Sequence, residues 1–262
     1  MTYPDSVLSR VTKPARYTGG EWNSIIKDWQ QTDIKIALSY PELYELGMSN
    51  IALPILYEIL NRQPGVLAER VFAPWTDMAA ALKTAGIPLA SLESGRPLGD
   101  FDIIGFSLGY ELTFTNVLNM LHLARIPVFA RERDDSHPLI IAGGCCTLNP
   151  EPMTDFIDLF IIGEAEELLA GLVACIRDAK RQGSKKKDLL RRLATFPGVY
   201  VPGLYRVDYR EDGTFQSITP TAAEASARVK RQLVAKLPPP VTKPVVPYIE
   251  VVHDRGAIEI SR

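Results

Sequence analysis

Residues 138–167 read PLIIAGGCCTLNPEPMTDFIDLFIIGEAEE. Two apolar runs stand out, residues 138–142 (PLIIA) and 159–162 (LFII). Both are too short for helices, and neither alternates as a strand with one wet face would. They read as strands buried on both sides. Each runs into glycine, Gly143-Gly144 after the first and Gly163 after the second, and residues 164–179 follow as a helix.

The same grammar extends toward the N-terminus. Residues 102–108 (DIIGFSL) and 34–38 (IKIAL) are further apolar runs, and residues 68–73 (AERVFA) read as another strand. Between them lie segments of helical spacing. In residues 49–61 the apolar positions are Ile51, Leu53, Ile55, Leu56, Ile59 and Leu60. A second helix starts at Thr76 or Asp77 and runs to about Thr84, and a third covers residues 113–124. Apolar strands alternating with amphipathic helices predict an α/β fold with a parallel sheet covered on both faces. The expected architecture is a flavodoxin-like (Rossmann-like) doubly wound sheet of about five strands, in the order 2-1-3-4-5 with right-handed crossovers. Residues 87–90 and 126–130 are expected as short edge strands.

The flanking segments differ in composition. Residues 1–33 are polar and contain Pro4, Pro14 and Gly19-Gly20, which predicts an irregular packing arm with a short helix at residues 22–29. The α/β domain is expected over residues 34–182. Residues 183–240 hold a basic helix, a hairpin over 198–218 with Asp212-Gly213 as its turn, and a linker with Pro238-Pro239-Pro240. Residues 241–262 end in an apolar alternation, AIEISR, that reads as the first strand of a further domain, so the chain is expected to be a fragment.

Bulk properties narrow the function. The chain has 262 residues, 46% hydrophobic and 23% charged, with a net charge of −2. That is enough for a sizeable core and gives no general electrostatic reason to bind nucleic acid or anionic membrane. The basic stretch Lys185 to Arg192 reads as a solvated helix face, with RNA recruitment as the weaker alternative. No signal-type segment and no apolar run of about 18 residues occurs, so a cytoplasmic protein without membrane contact is expected. The three cysteines, Cys145, Cys146 and Cys175, form no CxxC and suggest neither disulfides nor zinc.

In an open parallel sheet, ligands bind beyond the carboxyl ends of the strands, where the strand order reverses. Four segments fall on that edge: 39–50 (SYPELYELGMSN), 107–111 (SLGYE), 143–149 (GGCCTLN) and 163–167 (GEAEE). Their glycines permit close backbone approach to a ligand or a tight turn. Glu164, Glu166 and Glu167 are expected to open a helix, where negative charge is favourable. No GxGxxG, GxxxxGK[ST] or GxSxG occurs, which removes the usual support for nicotinamide, P-loop and hydrolase readings. His122, His137 and His253 lack metal-ligand spacing.

Residues 102–108, Ile140 to Gly144, Pro150-Glu151-Pro152 and residues 158–167 together resemble the cobalamin-binding domain of B12-type radical SAM proteins. In that family a Gly-Gly strand end precedes a Pro-Glu element and a strand that ends in Gly-Glu. The resemblance covers residues 34 to about 180. Residues 248–262 resemble the lead-in to a radical SAM barrel, whose first strand runs into a CxxxCxxC loop holding a 4Fe-4S cluster. The resemblance implies cobalamin, held by Tyr44, Gly47, Met48, Ser49, Ser107, Leu108, Gly109, Gly143, Gly144, Cys145, Gly163 and Glu164. S-adenosylmethionine and the 4Fe-4S cluster would belong to the full-length protein, with its barrel as partner. Many family members carry DxHxxG after the first strand, where the histidine ligates cobalt. Residues 39–50 hold no histidine, so the lower face of cobalt would be open, water-bound or shielded by groups such as Tyr44, Leu46 and Met48. The same departure admits a Rossmann-like interaction module that has lost the cofactor. Neither reading assigns a catalytic residue or a metal ligand to this chain.

Overall fold

The computed structural model describes residues 3–235 and 237–253. A short helix α1 (Asp5–Leu8) opens the chain. Strand β1 (Ile34–Tyr40) leads through α2 (Tyr44–Gly47) and α3 (Ala52–Asn61) to β2 (Val66–Phe72), and α4 (Thr76–Ala85) leads to β3 (Ile103–Ser107). Helix α5 (Phe114–Leu123) precedes β4 (Leu139–Gly143), and β5 (Leu159–Ile161) is followed by α6 (Leu168–Arg181) and α7 (Lys186–Ala194). The short β6 (Val199–Tyr200) then joins the same sheet, and β7 (Tyr205–Tyr209) pairs with β8 (Phe215–Pro220) as a separate hairpin. The sheet order is β2-β1-β3-β4-β5-β6, with β1 to β5 parallel and β6 antiparallel at the edge. This is the flavodoxin-like order extended by one strand.

Side-chain alternation divides the core into two layers. Ala37, Val71, Ile104, Phe106, Ile140 and Phe160 face α4 and α5, with Tyr3 and Val7 of the arm packed into the same layer. Ile34, Ile36, Leu38, Ile103, Ile141 and Ile161 face α3 and α6. Every residue of β2 is buried, Glu69 and Arg70 included. Hydrophobic cover on both faces is what turns these strands into continuous apolar runs.

Several expectations need correction. Residues 22–29 form no helix. Asn23 sits at φ +66°, outside the helical region, and the segment is held from elsewhere: Trp22 bridges to Val246, and the Ile25 amide donates to the Tyr57 hydroxyl at 2.7 Å. The arm is less irregular than expected at its start, where Tyr3 and Val7 are 3% and 1% exposed. The two proposed edge strands are absent apart from an isolated bridge between Ala90 and Pro97; Pro88 and Pro127 have no N–H for a ladder. The helix expected from Glu164 begins only at Leu168, because the Glu164 amide donates to Gln232 O at 3.1 Å. Glu164 and Glu166 therefore lie in a loop before the helix. The hairpin turn does fall at Asp212-Gly213, with Gly213 at φ +79°, but Val199 and Tyr200 are drawn into the main sheet. The apolar alternation at residues 257–262 lies outside the described residues. Among the described residues, no helix is long and apolar enough to cross a membrane.

Candidate functional site

The strand order reverses between β1 and β3, because the chain leaves β1 for β2 on one side and builds β3 to β5 on the other. A cavity of about 460 Å³ opens at that point, roofed by α3 and α6. Its floor is the β-sheet face carrying Ile36, Leu38, Ile103, Gly105, Ile141 and Ile161. Ile55, Leu56 and Leu60 wall it on one side, and Leu169, Leu172 and Val173 on the other. The mouth lies at the carboxyl ends of the strands, where Tyr40, Asn50, Ser107, Gly109, Cys145 and Glu164 meet.

Two glycines make the cavity. A Cβ at Gly105 would meet nothing nearer than a Leu38 methyl at 4.0 Å, and one at Gly143 would have no atom within 4 Å. Both positions leave open a volume that any larger side chain would occupy. Gly144 serves a different end. It sits at φ +108°, and a Cβ there would come within 2.5 Å of Leu108 O. This close approach stitches two loops together. Leu108 N donates to Gly143 O at 2.7 Å, Cys146 N to Leu108 O at 3.2 Å, and the Cys145 thiol to Gly109 O at 2.8 Å. Ser107, Leu108, Gly109, Gly143, Gly144 and Cys145 thus form one continuous rim. Burial pushes the neighbouring Cys146 thiol up to about 11, with the Glu111 carboxylate adding to the shift.

Gly163 and Glu164 complete the rim from β5, although the glycine there answers to the chain and not to empty space. Gly163 has φ +98°, and its Cβ would fall 2.3 Å from Gln232 O. Residues 230–234 run alongside this loop, and the Glu164 carboxylate accepts the Val234 amide.

Four residues expected at the edge lie elsewhere. Tyr44, Gly47, Met48 and Ser49 do not line this cavity. Tyr44 is 2% exposed, packs edge-on to Phe72 and donates its hydroxyl to Glu21 Oε1 at 2.9 Å. A Cβ at Gly47 would strike the Phe72 ring at 2.1 Å. Met48 Sδ accepts from the Arg70 guanidinium at 3.1 Å, and Ser49 donates to Glu45 O at 2.7 Å. The organising group is Arg70. A buried guanidinium requires partners, and it takes Glu21 at 2.9 Å from the arm and Glu93 at 2.7 Å from the loop after α4. Burial outweighs Arg70 at Glu93 and holds its carboxyl above the usual range, with Glu69 adding to that. Gly47 and Met48 instead border a second cavity of about 500 Å³, closed by Asn23, Ile25 and residues 241–245.

Three contributors escape the sequence reading. Tyr40 and Asn50 sit at the mouth, and their hydroxyl and amide meet at 3.4 Å. Gly105 carried a legible signal, since glycine inside an apolar strand marks a close backbone approach or a bulge. Among the described residues, no histidine lines the cavity, and His137 pairs with Asp134 at 2.7 Å at the opposite, amino-terminal edge of the sheet. Among the described residues, no group of three His, Cys, Asp or Glu could hold a metal ion. The glycine-cleared floor leaves space bounded by apolar side chains.

Residues 52–202 match the family described as radical SAM proteins, N-terminal, a span from α3 to the turn after β6. A protein of Methanocaldococcus jannaschii described as uncharacterized is 24% identical over 132 residues, which cover 50% of this chain and 24% of that protein. The match therefore takes in about a quarter of the relative's length. No solved structure matches the chain. The family match spans both walls of the cavity and all of the rim beyond β1, and on that ground the chain belongs to the family of radical SAM N-terminal domains.

Proposed function

We propose that this domain holds a cobalamin at the carboxyl edge of its sheet and that it is the non-catalytic, cofactor-positioning module of a radical SAM enzyme. The observation that carries this reading is the apolar cavity whose floor and mouth are cleared by Gly105 and Gly143. In the family it resembles, Ser-x-Leu and Gly-Gly elements cradle the nucleotide tail of the cofactor. Here Ser107 is followed by Leu108-Gly109, so the first is matched only in part, Gly143-Gly144 is intact, and these residues form one rim. Bound cobalamin supplies the methyl-carrying or radical chemistry, and the chain supplies shape and orientation. The 4Fe-4S cluster and S-adenosylmethionine are assigned to the barrel of the full-length protein.

Titration with hydroxocobalamin, followed by absorbance and calorimetry, tests the reading. Wild type binds saturably. Gly105→Leu fills the floor and abolishes binding, and Gly143→Val weakens it, while thermal melts show both variants folded. Absence of binding by folded wild type at high micromolar cofactor sinks the proposal.

A second reading, an interaction module without cofactor, draws on two specific observations. Gly47 and Gly163 are accounted for by Phe72 and Gln232 without a ligand, and among the described residues no histidine lines the cavity. Under that reading wild type ignores cobalamin, and Gly105→Leu is as stable as wild type or more so.

A further inference from the structure

An apolar cavity floor excludes water but cannot orient what enters it. Orientation must come from the polar side chains of the mouth, and most of these are already engaged. The Cys145 thiol donates to Gly109 O, and the Glu164 carboxylate accepts from Val234 N. Asn50 is engaged at both ends. Its carbonyl oxygen accepts the Ala52 and Leu53 amides at 2.9 and 3.2 Å, capping the first turn of α3, and its amide group donates to the Tyr40 hydroxyl.

Tyr40 differs from these. Its oxygen accepts from Asn50, which leaves its own proton to be given to something else. Burial raises its pKa, so the proton stays in place at neutral pH. Gly109 sets no side chain against it, and its backbone lies near enough that a Cβ would stand 3.7 Å from the hydroxyl. Carboxylates also lie near this mouth: Glu164 and Glu166 line it from the β5 loop, and Glu42, which accepts from the Tyr110 hydroxyl, acts on Tyr40 through its charge. They disfavour an anionic acceptor and favour a neutral one such as a carboxamide oxygen.

We propose that Tyr40 is the hydrogen-bond donor that orients the ligand of this cavity through a carboxamide oxygen, and that Asn50 is the positioning residue that holds Tyr40 and ties it to α3. This rests on the cavity being the cofactor site. The link to α3 follows from how that helix is pinned. Its far end is clamped by Asn61, which exchanges bonds of 2.9 and 3.1 Å with the Ala68 backbone, and by Tyr57. Its near end, with Ile51 48% exposed, depends on the Asn50 cap. A ligand that fixes Tyr40 therefore also fixes the first turn of α3.

Hydroxocobalamin titration of wild type, Tyr40→Phe, Ser107→Ala and Asn50→Ala, with hydrogen exchange of the Ala52 and Leu53 amides, tests this. Tyr40→Phe is expected to keep its melting temperature and bind about tenfold more weakly. The two amides gain protection on binding in wild type and less in Tyr40→Phe. In Asn50→Ala they exchange faster even without cofactor. Equal affinity of Tyr40→Phe and wild type overturns the donor role, as does a loss confined to Ser107→Ala. Unchanged exchange in ligand-free Asn50→Ala overturns the positioning role. Failure of wild type to bind removes the cofactor reading itself and the donor role with it, a result distinct from the other outcomes.

Discussion

The two sides of α3 use the same residue type in opposite ways. Toward β3 and β4, Gly105 and Gly143 face open volume, where a side chain would meet almost nothing. Toward β2, Gly47 is packed against Phe72, and the neighbouring Met48 is drawn to Arg70. One side is an empty apolar trough. The other is a closed ionic clamp in which Glu21, Arg70 and Glu93 bind the arm to the sheet. A glycine in a loop thus says that space is needed, not who needs it. The clamp side ties its residues to a buried charge, while the trough side is cleared by glycines that pack against almost nothing.

Breaking the clamp should have the largest effect. Arg70→Met keeps the volume but leaves two carboxylates buried without their cation. We expect a loss of about 3–5 kcal/mol in urea unfolding. A loss below about 1 kcal/mol would mean that the arm and the Glu93 loop relax outward together and that the clamp is not closed.

Paired glycine substitutions sharpen the contrast. Gly163→Ala places a Cβ at φ +98° against Gln232 O, and strain of this kind costs about 1–3 kcal/mol. Gly143→Ala has neither a positive φ nor a neighbour, so its melting temperature should hold or rise slightly. Equal losses from the two would erase the distinction between packed and open glycines.

The smallest effect concerns pH. Glu93 has its folded pKa raised, so its neutral form contributes stability that is fully present below the ordinary glutamate pKa and is lost as pH rises through the folded value. Stability should therefore fall as pH climbs above the ordinary glutamate range, and Glu93→Gln should flatten that slope. A slope that persists in Glu93→Gln assigns the effect to another group.

Most of the parallel strands were legible because strands buried on both faces carry unbroken apolar runs, as in residues 138–142 and 159–162, whereas β2 holds Glu69 and Arg70 within its run. The rim from Ser107 to Cys145 was legible for a related reason, since carboxyl ends of parallel strands share one edge whatever their loops contain. Other features were not readable. Val199 and Tyr200 are too few to show a period, and only pairing with Phe160 and Ile161 makes them a strand. Glu164 to Glu167 carry the charge of a first helical turn, yet residues 230–234 hold that segment off the helix.

By itself, the sequence determined the order of strands and helices, the doubly wound class and which loops share the carboxyl edge of the sheet, because burial leaves a periodic record along the chain. The tertiary structure alone decided which glycines open onto empty space, that Tyr44 and Met48 serve a buried arginine, and that Tyr40 and Asn50 stand at the mouth. Those outcomes depend on contacts such as Glu21 with Arg70 and Gly163 with Gln232, between residues 49 and 69 positions apart, and local periodicity carries no information about partners at such separations.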